Sequence, residues 1–599
     1  MKIRGGCCRY SQNGKPGVCR YHGHGRVLER VVPALACIIP CSIILTGEVA
    51  HAGTLFVSAT AAPGGNGSEQ TPFNSLADLE RASAPGDEIV VLASPMSAPP
   101  LDGGIALKPH QKLTGRGPSV ITGANLAQAP RITNSTVASN SGDAVVLADS
   151  TEVSNLMIVN SYRGGIYGVD VSDFKIHDNN LSGTNTSCTP GFFVIFPVDV
   201  PLLPNGWAAI MIDEDKGTAS LSIQNNLIHD GACNDGIDIR ATGNAEVMAS
   251  VDGNNITHLA QGPKVRSLLA LGMQTRDVAM LTVESDHNSE TYIGSPNADC
   301  EGLFSNQTGG VLTWNISHNT FAHGIGGRSC NGGEFFPTGG DATTNLSISH
   351  STFEDNPGDM IEEVNEGKGT TMHLTLEDVT IKHVTQQMPV TPEGKFSNGV
   401  DNNLSRCIDV TSHGHQNVTY FHMINSRIFD CAGDGIGSIV NGSALRPQPA
   451  TLPGGQKTDY GDGVGDSLWI EIDDSTISGT PQYALHFTNQ TAMNELQIRV
   501  KNSQFSDAKG LAVVAFDQNG STKNPEIDLG SQGPENPGGN CIKGAANLAM
   551  EVTGYAVSAK SNWWGSPNGP PPKKISATDG KLDVASALRS APPACKEGQ

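Results

Sequence analysis

Residues 234–239 read NDGIDI and set two carboxylates, Asp235 and Asp238, three positions apart with Arg240 just beyond. Paired carboxylates suit inverting hydrolysis of a glycosidic bond, where one protonates the leaving oxygen and the other activates water. A basic residue beside them suits the other common route, proton abstraction from a uronate whose charge Ca²⁺ neutralises. Basic residues are thinly scattered, and Arg240, Lys264 and Arg266 form the nearest thing to a cluster. Asp235, Asp238 and Arg240 are therefore the candidate catalytic set. DGIDI also fits an ordinary turn and strand, so the phrase by itself leaves both readings open.

Carboxylates gather in four further places: Asp213, Glu214 and Asp215; Asp355, Asp359, Glu362 and Glu363; Asp462 and Asp466; Glu471, Asp473 and Asp474. In DYGDGVGD at 459–466 the glycines allow carbonyls to turn inward between acids. This makes Asp462 and Asp466 the candidate Ca²⁺ ligands, with a solvated loop as the competing reading. SHGHQ at 412–416 offers His413 and His415 as base or metal ligands, or as a bare loop pair. Sugar platforms use exposed aromatics, but Phe, Trp and Tyr make up only 5% of the chain, which leaves little material for one. Sequons at Asn315, Asn345 and Asn417 follow from turns rich in Asn, Ser and Thr.

The elements that carry these residues repeat. A short strand leads into Asn or His, then Asn or Ser, then an apolar residue: FKIHDNNL at 174–181, LSIQNNLI at 221–228, WNISHNTF at 314–321, LSISHSTF at 346–353 and IRVKNSQF at 498–505. Asn319 to Ser351 is 32 positions, Ser475 to Ser503 is 28, Asn226 to Asn255 is 29 and Asn180 to Asn226 is 46. Self-similarity at such a period signals a solenoid. Rungs of three short strands, as in a right-handed parallel β-helix, match the interval. The turn Asn or Ser tolerates a left-handed backbone, and its side chain can bond along the axis to the next rung. The apolar residue after it, Phe321 or Phe353 for example, should point into the core. A second phrase, GIYGVDV at 165–171, DGIDI at 235–239 and DGIGSI at 434–439, supplies another turn and strand. Helical spacing is clear only in SLADLERAS at 75–83, where Leu76, Leu79 and Glu80 share a face.

At both ends these phrases become specific. TLFVSATAAPGGNGSEQTPFNSLADLERASAPGDEIVVL at 54–92 resembles the opening cap of secreted β-helix proteins of the pectin-lyase-like type, with Pro72, Phe73, Pro85, Gly86 and Asp87 at the matching positions. GIALKPHQKLTGRG at 104–117 resembles a first-rung phrase of β-helical surface proteins, and SNWWGSPNGP at 561–570 a closing motif of such helices. The resemblance implies an all-β right-handed parallel β-helix with a cap containing a short helix. It says little about activity, because one fold hosts many functions. NDGIDI is similar to the Asn-Thr-Asp phrase of polygalacturonase-type hydrolases, with Asp235 on the catalytic Asp. The later Asp-Asp, Gly-His-Gly and Arg-Ile-Lys motifs of that family have no counterpart downstream. WIEIDD at 469–474 is similar to the Trp-Ile-Asp-His phrase of pectate-lyase-type enzymes, but it has Glu471 in the Asp position and lacks the His.

Composition bounds the rest. Seven basic residues precede the apolar run Val31 to Leu45, followed by Ala50-His51-Ala52, the layout of an export signal with a long basic region over 1–52. The expected organisation is a cap at 53–100, coils at 101–585 with insertions near 186–208 and 444–466, and a tail at 586–599. Loss of seven basic and two acidic residues with the signal takes the net charge from −22 to −27. Such acidity disfavours nucleic acid and polyanionic glycans, unless Ca²⁺ changes the local charge. No later stretch is apolar enough to span a bilayer. Eight cysteines remain after position 52, an even number without CxxC spacing, which favours disulfides in an exported chain with the pairing left open. The expectation is a secreted or cell-surface β-helix that binds or scaffolds extracellular polysaccharide or cell-surface glycan. A polysaccharide lyase or glycoside hydrolase is the alternative, and whether the protein is an enzyme stays open at this point.

Overall fold

A computed structural model describes residues 52–121, 127–195, 203–260, 267–295, 299–325, 329–385, 406–440 and 463–595. Residues 1–51, on which the expected export signal falls, and Lys264, Arg266 and Asp462 lie outside them. Each turn of the chain lays down three strands, and the next turn repeats them one strand-width further along. One coil runs Met280–Asp286, Ser289–Thr291, Asp299–Gln307; the following coil runs Val311–Ser317, Thr320–Ala322, Ser329–Pro337. Corresponding strands pair in parallel, Val283 with Trp314, Glu290 with Phe321, and Ser305 with Phe335. Parallel pairing needs a crossover, and here the two other strands of the coil provide it. The result is a right-handed parallel β-helix with three long sheets. Sheet I collects strands of about seven residues, sheet II strands of three, and sheet III carries the strands after the longest connections.

Strand alternation sorts the side chains. In Trp314-Asn315-Ile316 and its neighbours every second residue is buried and the rest are partly exposed. The inner rows stack like on like: Trp314, Leu346, Leu374, Phe421 and Ile470 on sheet I. Phe321, Phe353, Ile381, Ile428, Ile477 and Phe505 follow one another on sheet II. Phe321 and Phe353 are each 1% exposed and point inward as their place in the repeat required. Burying each such side chain contributes about 1.5–3 kcal/mol, and each rung covers the one before it.

At the corner between sheets I and II the polar pair of the repeat divides its labour. The first residue adopts the left-handed backbone: Asp178, Asn225, His287, His318, His350 and Asn502 all have φ between 49° and 55°. The second is buried and forms the ladder. The Asn179 amide N–H donates to Asn226 Oδ1 at 3.1 Å, Asn226 N–H to Asn254 Oδ1 at 3.0 Å, Asn254 N–H to Asn288 Oδ1 at 3.0 Å, and Asn319 N–H to Ser351 Oγ at 3.1 Å. Two expectations are corrected by this. The left-handed residue and the bonding residue are neighbours, not one residue. The ladder members are Asn179 and Asn254, whereas Asn180 and Asn255 lie one place later, in sheet II strands. The steps are 47 and 28 residues. Val379 has no polar side chain to donate, and its N–H binds Ser426 Oγ at 3.0 Å.

The first coil is closed by the helix Leu76–Ala82. Ser75 caps it by accepting from the Asp78 N–H, Leu76 and Leu79 are buried, and Glu80 accepts from the Ala106 N–H at 3.1 Å. All eight cysteines after position 52 are paired: Cys188–Cys233, Cys300–Cys330, Cys407–Cys431 and Cys541–Cys595. No described helix is long and apolar enough to cross a membrane.

Candidate functional site

The outer face of sheet III concentrates the ionisable groups. In Ile361–Asn365, Ile408–Ser412, Ile436–Val440 and Leu485–Asn489 the first and third residues point into the core. The second, Glu362, Asp409, Gly437 and His486, form one outward row in register. Two residues before each strand comes a second row, Asp359, Arg406, Asp434 and Tyr483, tied to its strand by backbone bonds between adjacent coils. Four successive coils thus bring acids, a guanidinium, an imidazole and a phenol onto one surface.

Arg406 organises this surface. Its Nη1 donates to Asp409 Oδ2 at 2.6 Å, its Nε lies 3.8 Å from Asp434 Oδ2, and its backbone N–H donates to Asp359 Oδ1 at 2.5 Å. Burial works against the guanidinium charge, but Asp409, Asp434 and Asp359 outweigh it and raise the Arg406 pKa. Asp409 also accepts from Thr411 Oγ1 at 2.5 Å. Asp359 is different: burial, with the nearby Asp409 charge adding to it, pushes its carboxyl up to about 7. A carboxyl raised in this way suits the acid of an acid–base pair. Glu362 accepts from Asn331 Nδ2 at 2.8 Å. One oxygen each from Asp359, Glu362 and Asp409 lie within 4.8 Å of one another. Such a trio can share a proton, accept from vicinal hydroxyls, or give a hard cation oxygen ligands.

Further along, His486 Nδ1 lies 3.5 Å from Asp434 Oδ2 and its Nε2 lies 3.2 Å from Asp517 Oδ2. Burial lowers an imidazole pKa, but the two carboxylates outweigh it and lift His486 to about 9. Tyr483 stacks on this ring at 4.3 Å, and burial moves its phenol to about 12. His486 is therefore a cation at neutral pH, tied between two acids.

The residues singled out by sequence sit on the same face, five coils earlier in sheet III. Asp235 and Asp238 do face the same way, and Asn205 Nδ2 donates to both. Both are fully buried. The insertion folds as an antiparallel hairpin, Pro190–Ile195 with Leu203–Gly206, and lies across them. Phe193 packs with Leu269, Phe304, Phe336 and Val364 of sheet III, and Phe192 meets Trp207 edge-on at 5.2 Å. Asp235 also accepts from the Leu269 N–H at 3.0 Å, while Asp238 Oδ1 has no hydrogen-bond partner among the described residues. Burial raises both carboxyls well above the usual range, and the Asp235 charge raises Asp238 further. Arg240 grips Asp213 through two bonds of 2.7 and 2.6 Å, beneath the Phe192 ring at 3.6 Å. Asp235 and Asp238 are thus together but sealed by protein, while Arg240 is taken up by Asp213 and keeps part of its side chain exposed.

Asp466 is buried as well. It accepts from Ser412 Oγ at 2.6 Å and from the Asn417 N–H at 3.0 Å, and burial moves it up to about 6. These bonds fix the corner between coils. Asn417, one of the sequons, is fully buried in the same corner and donates to Asn365 Oδ1 at 2.9 Å. His413 is buried beside it. Glu471 and Asp473 face outward on sheet I, paired with Arg499 at 3.5 Å and Lys501 at 3.0 Å. Glu363 points into the core, where neither of its oxygens finds a hydrogen-bond partner among the described residues. Of the acids grouped by sequence, Asp359 and Glu362 enter the ionisable cluster. Asp409, Arg406, Asp434, His486 and Asp517 were missed. Asp434 alone carried a signal, because DGIGSI repeats the turn phrase of DGIDI and sets Asp434 where Asp235 stands.

No family model matches the chain, and no curated protein matches it. Among solved structures, a mutant of DFA-IIIase from Arthrobacter chlorophenolicus in complex with DFA-III is similar with a TM-score of 0.34 and 13% identity, over 71% of this chain and 95% of that one. The A-module of a mannuronan C-5 epimerase from Azotobacter vinelandii is similar with a TM-score of 0.32 and 11% identity, over 75% and 92%. These values carry nothing to the site, whose reading rests on its own geometry.

Proposed function

We propose that this protein is an exported β-helix that engages extracellular carbohydrate along the outer face of sheet III, centred on Asp359, Glu362, Asp409, Arg406 and His486. One observation carries the reading: four successive coils deliver hydrogen-bonding acids, a guanidinium and an imidazolium to one surface. Carboxylates and amides that accept and donate in pairs suit vicinal hydroxyls. Acids outnumber bases among the described residues of this face, so a neutral or amino-sugar polymer fits better than a polyuronate. The four disulfides accord with an oxidising compartment.

A second reading follows from one specific feature. Asp359, held at about 7 beside the Arg406-bound Asp409, has the protonation state of a general acid at neutral pH. In a hydrolase, Asp359 would protonate the leaving oxygen and Glu362 or Asp409 would serve the carbon that loses it. The test is to pass the purified protein over immobilised neutral, cationic and uronate glycans with and without Ca²⁺, and to assay reducing ends and unsaturated uronate. Retention on a neutral or cationic glycan that Glu362→Gln abolishes supports the binding reading. New reducing ends that fall off above about pH 7 and vanish in Asp359→Asn support the hydrolytic one. No retention and no products on any glycan would remove both.

A further inference from the structure

The corner between sheets I and II carries a ladder of imidazoles. His287, His318 and His350 come from three successive coils, each at the left-handed position of its turn, with φ of 53°, 52° and 49°. A left-handed backbone is uncommon outside glycine but is tolerated by Asn, Asp and His. Stacked coils then place the rings one above another. His287 and His318 lie 4.7 Å apart with 6° between their planes, and His318 and His350 lie 5.0 Å apart at 13°.

Asp286 stands beside the first two rings. Its Oδ2 is 2.9 Å from His287 Nδ1 and its Oδ1 is 3.1 Å from His318 Nδ1. Ser317 Oγ holds the carboxylate in place at 2.7 Å. Two ring nitrogens and a carboxylate oxygen therefore converge, all within 4.8 Å of one another. The side chains are 63%, 49% and 42% exposed for His287, His318 and Asp286, so an ion and its remaining water ligands can reach them. Two imidazoles and one carboxylate with an open side form the donor set of a borderline divalent ion, whose bonds to N and O are about 2.0–2.2 Å. Calcium, which takes six or more oxygens, is a poor match.

The neighbouring corner gives a control within the same molecule. There His323 and His383 approach Asp355 at 3.1 and 3.4 Å, but they come from coils on either side of it. His383 also reaches Asp430 at 3.5 Å. That arrangement is a relay of ion pairs, with its imidazoles separated by an intervening coil.

We propose that Asp286, His287 and His318 form a surface site for a divalent transition-metal ion of the Zn²⁺ class. The site lies on a different corner from the sheet III face and is independent of any glycan.

The test is titration of the purified protein with Zn²⁺, and with Co²⁺ as an optical probe, comparing three forms: wild type, His287→Asn with His318→Asn, and His323→Asn with His383→Asn. Asparagine accepts the left-handed turn, so both variants should keep the coil, and circular dichroism and melting check that they do. Zn²⁺ taken up by groups common to all three forms cancels in the comparison. The expected result is one equivalent of Zn²⁺ whose affinity falls at least about tenfold in the first variant and is unchanged in the second. Its Co²⁺ absorption should disappear with it, and Ca²⁺ should not compete. Equal Zn²⁺ uptake and affinity in wild type and the His287/His318 variant would overturn the proposal.

Discussion

Asp235 and Asp434 occupy the same place in the repeat, just before a glycine and an apolar strand on sheet III, yet their surroundings are opposite. Asp235 shares a proton-rich pair with Asp238 under a hairpin whose Phe193 seals the surface. Asp434 faces Arg406 and His486, both cations, in a cluster of alternating charge. A position in a solenoid fixes which way a side chain points; what covers it is set by the insertion that lies above. Sequence motifs that depend on direction alone are therefore shared by sealed and chemically active parts of one face.

The contrast can be broken or sharpened by substitution. The largest effect is expected from Arg406→Met, which leaves three buried acids without their cation. Urea unfolding should register a loss of about 4 kcal/mol, against about 1 kcal/mol for Arg240→Met, whose partner Asp213 keeps some solvent. Equal losses would mean that the two halves of the face are electrostatically alike.

Phe193→Ala should cost about 3 kcal/mol through the cavity it leaves beneath the hairpin. It should not alter glycan retention, whereas Glu362→Gln should lose retention with little change in stability. Loss of retention in Phe193→Ala would place the ligand at the sealed end.

The core acids give a third comparison, read through pH. Glu290 is fully buried without a hydrogen-bond partner among the described residues, and burial lifts it from 4.5 to about 8. Between those values the native protein keeps a proton that the unfolded chain has lost, so stability falls as pH rises through the window. Glu290→Gln should therefore add on the order of 2 kcal/mol at pH 8 and almost nothing at pH 4. His486 has the same sign in a higher window: its raised pKa contributes stability that is full below about 6.5 and lost as pH passes about 9. A flat difference between Glu290→Gln and wild type across pH 4–8 would show that this carboxyl is not buried as a neutral acid.

The smallest effect belongs to Asp235→Asn. Burial raises both carboxyls well above the usual range and so favours their neutral forms, and an amide in place of Asp235 should change stability within about 1 kcal/mol. A melting curve that drops sharply would instead mean that the pair carries charge beneath the hairpin.

Much of the fold was legible because its causes are local and repeated. A run such as WNISHNTF contains its own strand alternation, its left-handed turn residue and its inward Phe321, and the phrase returns along the chain. The helix Leu76–Ala82 was equally clear from the shared face of Leu76, Leu79 and Glu80. The register of the ladder was less so. In Asn-Asn pairs such as Asn179-Asn180, both residues are equally polar, and only the stacking of Asn179 on Asn226 decides which one turns inward. The cluster on sheet III was barely visible, because Asp359, Arg406, Asp434 and His486 follow one another at separations of 28 to 52 positions and share no common motif.

The sequence by itself determined the repeat, the polar pair at its corner and the even set of cysteines, all of which are written in the local order of residues. Only the tertiary structure decided that Asp235 and Asp238 lie sealed under a hairpin, that Arg406 collects three acids, and that His287 and His318 stack over one carboxylate. Those outcomes depend on which coil lies above which. In a solenoid that pairing is set by connection lengths and insertions, and these leave no periodic trace in the chain.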